Sequence, residues 1–527
     1  MRSFLTLVAI AAVALLTAPK AEAGGFEYPG AGASDLGRGG AWFAKADTSL
    51  ALRYNPAALA RMPSRMMVDA NATLNFYDVC FDRYGTYDTH EDGTPSTGVP
   101  TDETRFPTPD GGSFNPIAHP GVANPMVCDQ RGPTPVPQVT FAFKPKAHER
   151  LAIGFGVLAP HGRSGIRFSE SSDTIGYVST GNADYPYGPS PSRYMTAAIN
   201  NLQLFPTIGL AYEIHEALRV GVAFGWGMTI VGYESATQAL GGNEYIGMDV
   251  MSTLKVKDLF VPRVNVSVDS TPVKGLNVMA GFQWTQNVDA SGTLELQPGY
   301  FLSDAQRDIA MVEGIVLDGA RLRAGQASWL NFGVNYGLDR GQGVVGEVAD
   351  GLGTQWFDIE FNFTYEFNNR VDEYVVTPHT VPMGTDATPK VTVPGGLQSD
   401  VPNDIRIQKQ WQNQYVLRFG GDVNVLPGRL ALRTGAWYES NGIGQGYANV
   451  DFFIPRRIGV TGGVTARFGR FDLSVAYAHV FFDDVDNPVG QAALRANSGL
   501  GEGSISNNGQ FSAKANLVNL GLRYHFK

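Results

Sequence analysis

Few residues of this 527-residue chain are spaced for covalent chemistry. Its two cysteines, Cys80 and Cys128, lie in one polar segment, and neither belongs to a C-x-x-C pair. No two of the eight histidines stand at metal-ligand spacing, so no metal centre is expected. A nucleophile elbow of the form G-x-S-x-G is absent from the sequence. Gly341-Gln342-Gly343-Val344-Val345-Gly346 matches G-x-G-x-x-G. That fingerprint needs a strand, a tight turn and a helix, and no helical pattern follows here. Asp483, Asp484 and Asp486 gather carboxylates, but without the spacing of a calcium loop, and read as a solvated connection. The expectation is a protein that catalyses nothing and carries no cofactor.

Composition narrows the class. Glycine supplies 63 residues and proline 31, while Phe, Trp and Tyr make up 11% of the chain and charged residues 17%. Gly and Pro break helices, which argues against a long-helix protein. The apolar and aromatic content is too high for a disordered one. Net charge is −10 and no basic run occurs, so nucleic acid is not an expected partner. Residues 1–23 read as a secretory signal: Arg2, an apolar stretch from Phe4 to Ala18, then Ala21-Glu22-Ala23 before Gly24. No later run of about 18 apolar residues could form a membrane-spanning helix. In an exported chain Cys80 and Cys128 are expected to pair as a disulfide, with two free thiols as the alternative.

What does recur is period-2 alternation. Leu218, Val220, Val222, Phe224, Trp226, Met228 and Ile230 share one face of a run whose other face is Arg219, Gly221, Ala223, Gly225, Gly227 and Thr229. Phe471, Leu473, Val475 and Tyr477 similarly oppose Asp472, Ser474, Ala476 and Ala478. Such runs are strands with one apolar and one small or polar face. About fourteen are expected: 66–78, 135–145, 150–159, 199–213, 217–232, 259–269, 275–287, 328–336, 355–367, 408–425, 428–439, 455–468, 470–482 and 514–527. Short connections (146–149, 213–216, 271–274, 426–427, 469) alternate with long ones (79–134, 160–198, 233–258, 288–327, 368–407, 483–513), with 337–354 intermediate. An even strand number with this segregation describes an antiparallel transmembrane β-barrel. Every backbone polar group inside a bilayer must pair within the protein, and a closed barrel achieves this without a continuous hydrophobic stretch. Trp284, Tyr336, Trp437, Tyr477, Phe481 and Phe526 are candidates for aromatic girdles. By parity Arg219, Arg418, Arg433, Arg467 and Arg523 face inward, either toward a substrate carboxylate or toward inward acids such as Asp422 and Asp472.

Residues 24–64 do not alternate. They form a compact block rich in Gly and Ala, with Gly37-Arg38-Gly39-Gly40-Ala41, Ala46-Asp47, Tyr54-Asn55-Pro56-Ala57 and Leu59. On these motifs the sequence resembles the FadL family of outer-membrane transporters for long-chain fatty acids and other hydrophobic compounds. The segments 430–436, 471–478 and 520–526 agree as well, whereas the middle of the chain matches only in pattern. The chain ends Phe526-Lys527, one residue past the aromatic terminus usual in that family. The resemblance implies that residues 24–64 are a plug inside a barrel formed by 65–527, with Gly37, Arg38, Gly39, Gly40, Asn55, Pro56 and Ala57 as its signature. Pro56 fixes φ and lacks a donor, and Asn55 can bond to nearby backbone, a pairing suited to a rigid kink.

The function so implied is passive uptake of a hydrophobic molecule, with an apolar site, a movable plug and lateral release through the wall. A general porin for polar solutes and a surface adhesin or receptor on the same barrel are the alternatives. Expected partners are the hydrophobic solute, outer-membrane lipid and lipopolysaccharide, and the barrel-assembly machinery, with the protein a monomer. The expected location is the outer membrane of a Gram-negative bacterium, long loops outside and short turns periplasmic.

Overall fold

The computed structural model describes residues 27–86, 123–160, 165–169, 186–238, 246–302, 311–339, 355–370, 372–379, 389–498 and 502–526, with a few short pieces between. The signal segment 1–23 and the G-x-G-x-x-G run at 341–346 lie outside the described residues. Fourteen antiparallel strands close into a barrel. They are β1 (Met66–Arg83), β2 (Thr134–Phe143), β3 (Leu151–Leu158, resuming at Gly165–Arg167), β4 (Ala198–His215), β5 (Leu218–Thr237) and β6 (Val250–Val273). The next four are each interrupted: β7 (Leu276–Thr285, Val288–Pro298), β8 (Ile315–Ala324, Trp329–Asp339), β9 (Gln355–Glu366, Glu373–Thr377) and β10 (Ile405–Gln408, Gln414–Leu426). The last are β11 (Leu430–Glu439), β12 (Arg457–Phe468), β13 (Phe471–Phe482) and β14 (Gly509–His525). Closure comes from β1 against β14, from Met67↔His525 to Arg83↔Gly509.

Alternation sets which way each residue points. On β5 Val222, Trp226 and Ile230 are exposed on the outer wall, while Arg219 and Ala223 are buried within. On β13 Phe471, Leu473, Val475 and Tyr477 face out, and Asp472 and Ser474 face in. This outer apolar surface points away from the rest of the chain and matches a hydrocarbon solvent. Trp226 and Phe260 meet edge to face at 4.6 Å near one rim of it. Trp437 departs from the expected girdle. It is buried inside the barrel, because Leu432 and Tyr438, on the outward parity of β11, leave Trp437 on the inward one.

Beyond the interruptions of β7 to β10 the polarity of the alternation reverses. Val288, Ala290, Leu294 and Leu296 face inward on β7, while Asp289 and Glu295 face out. On β8 Ala320 and Leu322 point in, with Asp318, Arg321 and Arg323 outside. Strand above this level therefore stands in water outside and encloses an apolar interior. The expected loops 288–327 and 368–407 are corrected accordingly: both hold barrel strand, and the second also carries a hairpin, Lys390–Val393 with Leu397–Asp400. Strand also occupies both ends of 233–258, through Thr237 and from Val250. Long connections still gather at this end, and short ones (144–150, 216–217, 274–275, 427–429, 469–470) at the other, which also holds the longer connection 340–354 between β8 and β9.

Candidate functional site in the barrel lumen

Residues 28–62 lie inside the barrel and are almost wholly buried. They contain only short helical pieces, Ala33–Leu36 and Ala51–Tyr54, and a 3-10 turn at Pro56–Arg61. Too short to be stable alone, these pieces depend on the wall around them. Arg38 is the centre of that attachment. Its guanidinium pairs with Asp358 at 2.5 Å, Asp422 at 2.8 Å and Glu360 at 3.4 Å, all inward residues of β9 and β10. Lys45 shares two of these acids, at 2.5 Å to Asp358 and 2.8 Å to Asp422. Glu360 also accepts the backbone N–H groups of Ala44 and Lys45. Burial alone would favour the neutral forms of Arg38 and Lys45. The surrounding carboxylates outweigh it and hold both pKa values above their ordinary positions.

A second attachment lies across the lumen on β6. Asn55 donates from Nδ2 to Asp269 at 3.0 Å and to the Phe43 carbonyl at 2.9 Å. Pro56 opens the 3-10 turn, where its missing N–H costs nothing, and the Ala57 N–H reaches Ser267 Oγ at 2.9 Å. Arg61 closes on Asp269 at 3.0 Å. Ser49 bonds Asp69 of β1 through both its N–H and hydroxyl, and Asp69 also holds Arg523 at 2.8 Å.

Glycines let the two backbones touch. A Cβ on Gly420 or Gly435 would lie 2.0 or 2.2 Å from backbone atoms of Arg38, and one on Gly221 would lie 2.2 Å from Ala57 N. Gly39 and Gly40 take φ of +68° and +74°, where other residues are strained. Gly37 packs on Gly463 of β12. The structure thus brings the seven signature residues into one lumenal segment with two anchorages, Arg38 to β9 and β10, Asn55 and Ala57 to β6.

The inward arginines pair with protein acids rather than opening to the lumen: Arg219 with Asp269, Arg433 with Asp422, Arg467 with Asp472, and Arg523 with Asp69. Arg418 bonds Thr364 and lies over the Phe43 ring. Asp483 pairs with Arg456, and Asp486 accepts from Tyr84. Cys80 faces Cys128 across a short pairing and is joined to it by a disulfide.

Toward the long-connection end, two adjoining cavities share Ile199, Asn201, Asp451 and Phe452. The larger is walled by Val231, Tyr233, Leu254, Val288, Leu322, Tyr374, Val376 and Ile407 among others. The smaller runs from Tyr28 of the N-terminal segment to Ile166 of β3. Connections fold over the chamber: Trp411, Ile443, Val450, Phe453 and Ile454 join its apolar core. The only charged groups lining the two cavities among the described residues are already matched, Asp451 by Lys409 and Arg457 by Glu439 at 2.7 Å. None of these chamber residues was singled out from sequence. The available signal was strand alternation with its polarity inverted.

Beside the chamber, among the described residues, β2 pairs with β3 from Val139 to Phe143, and Thr134–Gln138 pair with β1. β4 pairs with Gly165–Arg167 through Asn200 and with the first piece of β3 from Phe205; residues 161–164, between the two pieces of β3, lie outside the described residues.

The fold is that of the FadL-type channels. A crystal structure of a Pseudomonas aeruginosa FadL homologue superposes with a TM-score of 0.68 over 96% of this chain and 100% of its own, at 14% identity. The Pseudomonas putida toluene transporter TodX matches at 0.57, covering 95% of this chain and 100% of that one, at 12% identity. The Ralstonia pickettii toluene transporter TbuX matches at 0.54 over 95% and 99%, at 14% identity. No protein-family model and no curated protein matches the sequence.

Proposed function

We propose that this protein belongs to the FadL family and is an outer-membrane transporter for passive uptake of hydrophobic molecules. One observation carries the reading: an apolar chamber lined by inverted strand extensions, above a lumen filled by the N-terminal segment. Hydrophobic solutes cross polar lipopolysaccharide poorly and gain little from a water-filled pore. A dry chamber captures them by removing apolar surface from water. Residues 1–23 direct export, residues 24–64 act as a movable plug, and the long connections face outside the cell. The exit through which solute passes sideways into the membrane lies beside β3, next to Ile166 and Asn201, which line the smaller cavity. No bond is made or broken, and a monomer suffices. A general porin fits less well, because the ion-paired segment across the lumen leaves no charged constriction for polar solutes.

The test is uptake by cells lacking the protein. Entry of long-chain or aromatic hydrophobes should fall while small sugars enter normally. Purified protein should bind such a ligand with a negative heat-capacity change. Lost sugar entry with intact hydrophobe uptake would overturn the reading.

A further inference from the structure

The chamber is not uniformly apolar, and apart from the ion-paired Asp451 and Arg457 its exceptions are uncharged. Asn201 and Gln203 on β4 and Thr229 on β5 all face inward, and Gln203 is the cross-strand partner of Thr229. Gln203 and Thr229 are only 7% and 3% exposed. Gln203 Nε2, Thr229 Oγ1 and Asn201 Oδ1 are buried without a hydrogen-bond partner. Buried polar atoms in folded proteins are ordinarily satisfied, so three orphans on one patch beside a cavity call for a ligand or water to complete them. Chamber charges behave oppositely. Lys409 is closed onto Asp451 and sits over the Tyr374 and Phe452 rings at 5.0 and 5.6 Å. Among the described residues, no cation lining the cavities is left open for an anion.

We propose that the chamber's cargo is an uncharged hydrophobe bearing a single hydroxyl group, such as a phenol, with that group seated at Gln203 and Thr229. A hydroxyl both accepts and donates. It can accept a hydrogen bond from the Gln203 amide N–H and donate one to Asn201 Oδ1 or the Thr229 hydroxyl. A plain hydrocarbon leaves all three atoms orphaned. A carboxylate brings no proton for Asn201 Oδ1 and faces the Asp451 carboxylate. This rests on the transport reading above and narrows its substrate.

The test compares three probes of one shape, toluene, 4-methylphenol and 4-methylbenzoate, by calorimetry at pH 7 on full-length protein in lipid nanodiscs, with empty nanodiscs subtracted. After correction for each probe's lipid partition, 4-methylphenol should bind about tenfold tighter than toluene, the value of one or two hydrogen bonds in a dry site. 4-Methylbenzoate should be the weakest. Gln203→Leu with Thr229→Val should remove the phenol's advantage while toluene binds as before, and unchanged strand circular dichroism would verify the barrel. Equal binding of phenol and toluene, or tight binding of the benzoate, overturns this inference and leaves hydrophobe transport standing. If none of the three binds, this inference falls, and the transport reading is then decided by the uptake test above.

Discussion

The two halves of the lumen solve opposite problems with the same strands. At the short-connection half, inward positions of β6, β9 and β10 are acids, and they grip the N-terminal segment through Arg38, Lys45, Asn55 and Arg61. At the long-connection half, inward positions are Val, Leu, Ile and Tyr, and their few charges are matched to each other. Buried ion pairs add little net stability over apolar packing, but breaking one is costly. They therefore suit a segment that must sit in one place. An apolar chamber binds without that geometric demand and releases cargo as easily as it takes it. The difference assigns position to the lower half and cargo to the upper.

The largest effect that could break this contrast is in ion flow. Deleting residues 24–60 should leave a barrel that inserts, since β1 to β14 close without them, yet conducts ions far more freely in planar bilayers. Equal small conductance in the deletion and the full chain would mean that the lower half does not obstruct the lumen.

Point changes sharpen it. Arg38→Ala leaves Asp358, Glu360 and Asp422 buried with one cation fewer, a loss of about 3–5 kcal/mol for a broken buried pair. Gly435→Val presses a side chain into the Arg38 backbone. Both should expose the N-terminal segment to protease without unfolding the barrel. Protection equal to wild type would place the anchorage elsewhere. Asn55→Ala with Pro56→Gly should act in the same direction more weakly.

The Cys80–Cys128 disulfide belongs to the upper half. Its closure constrains the unfolded chain by up to about 4 kcal/mol for a separation of 48 residues. Protein from its native membrane should resist alkylation until reduced. Replacing both cysteines with serine should make residues between them more protease-sensitive while the conductance stays low. Ready alkylation without reductant would remove the brace.

The barrel was legible because each strand carries its own period: Val222, Trp226 and Ile230 announce the outer wall with no knowledge of their neighbours. The lumenal block was legible only through its motif, because residues such as Arg38 and Asn55 gain meaning from Asp358 and Asp269, hundreds of positions away. The chamber escaped for a physical reason. Its strands leave the hydrocarbon, so Asp289, Glu295, Arg321 and Arg323 face outward and the runs look like solvated loop. Read with reversed polarity, 288–298 alternates as a strand, and 315–324 does so on either side of a bulge at Asp318–Gly319.

The smallest expected effect tests whether all charge in the lower half serves attachment. Asp35 lies in the lumenal segment, where Oδ2 accepts the Ala31 N–H at 2.6 Å and Oδ1 has no partner. Burial raises its pKa from 3.8 to about 6, against the opposing pull of the Ala31 hydrogen bond and of Arg418. An acid whose pKa is raised in place binds its proton more tightly there than when released. Its carboxyl therefore favours the docked segment at low pH, and that preference is lost as pH rises from about 4 through 6, by at most roughly 3 kcal/mol. Above pH 6 the penalty is constant. Protease access to residues 27–64 should accordingly rise between pH 4 and pH 6, and Asp35→Asn, which keeps an acceptor for Ala31 but cannot titrate, should flatten that rise. A slope that persists in Asp35→Asn would mean another lumenal acid titrates in this range, and the separation between a gripping half and a carrying half would rest on the Arg38 and Asn55 anchorages alone.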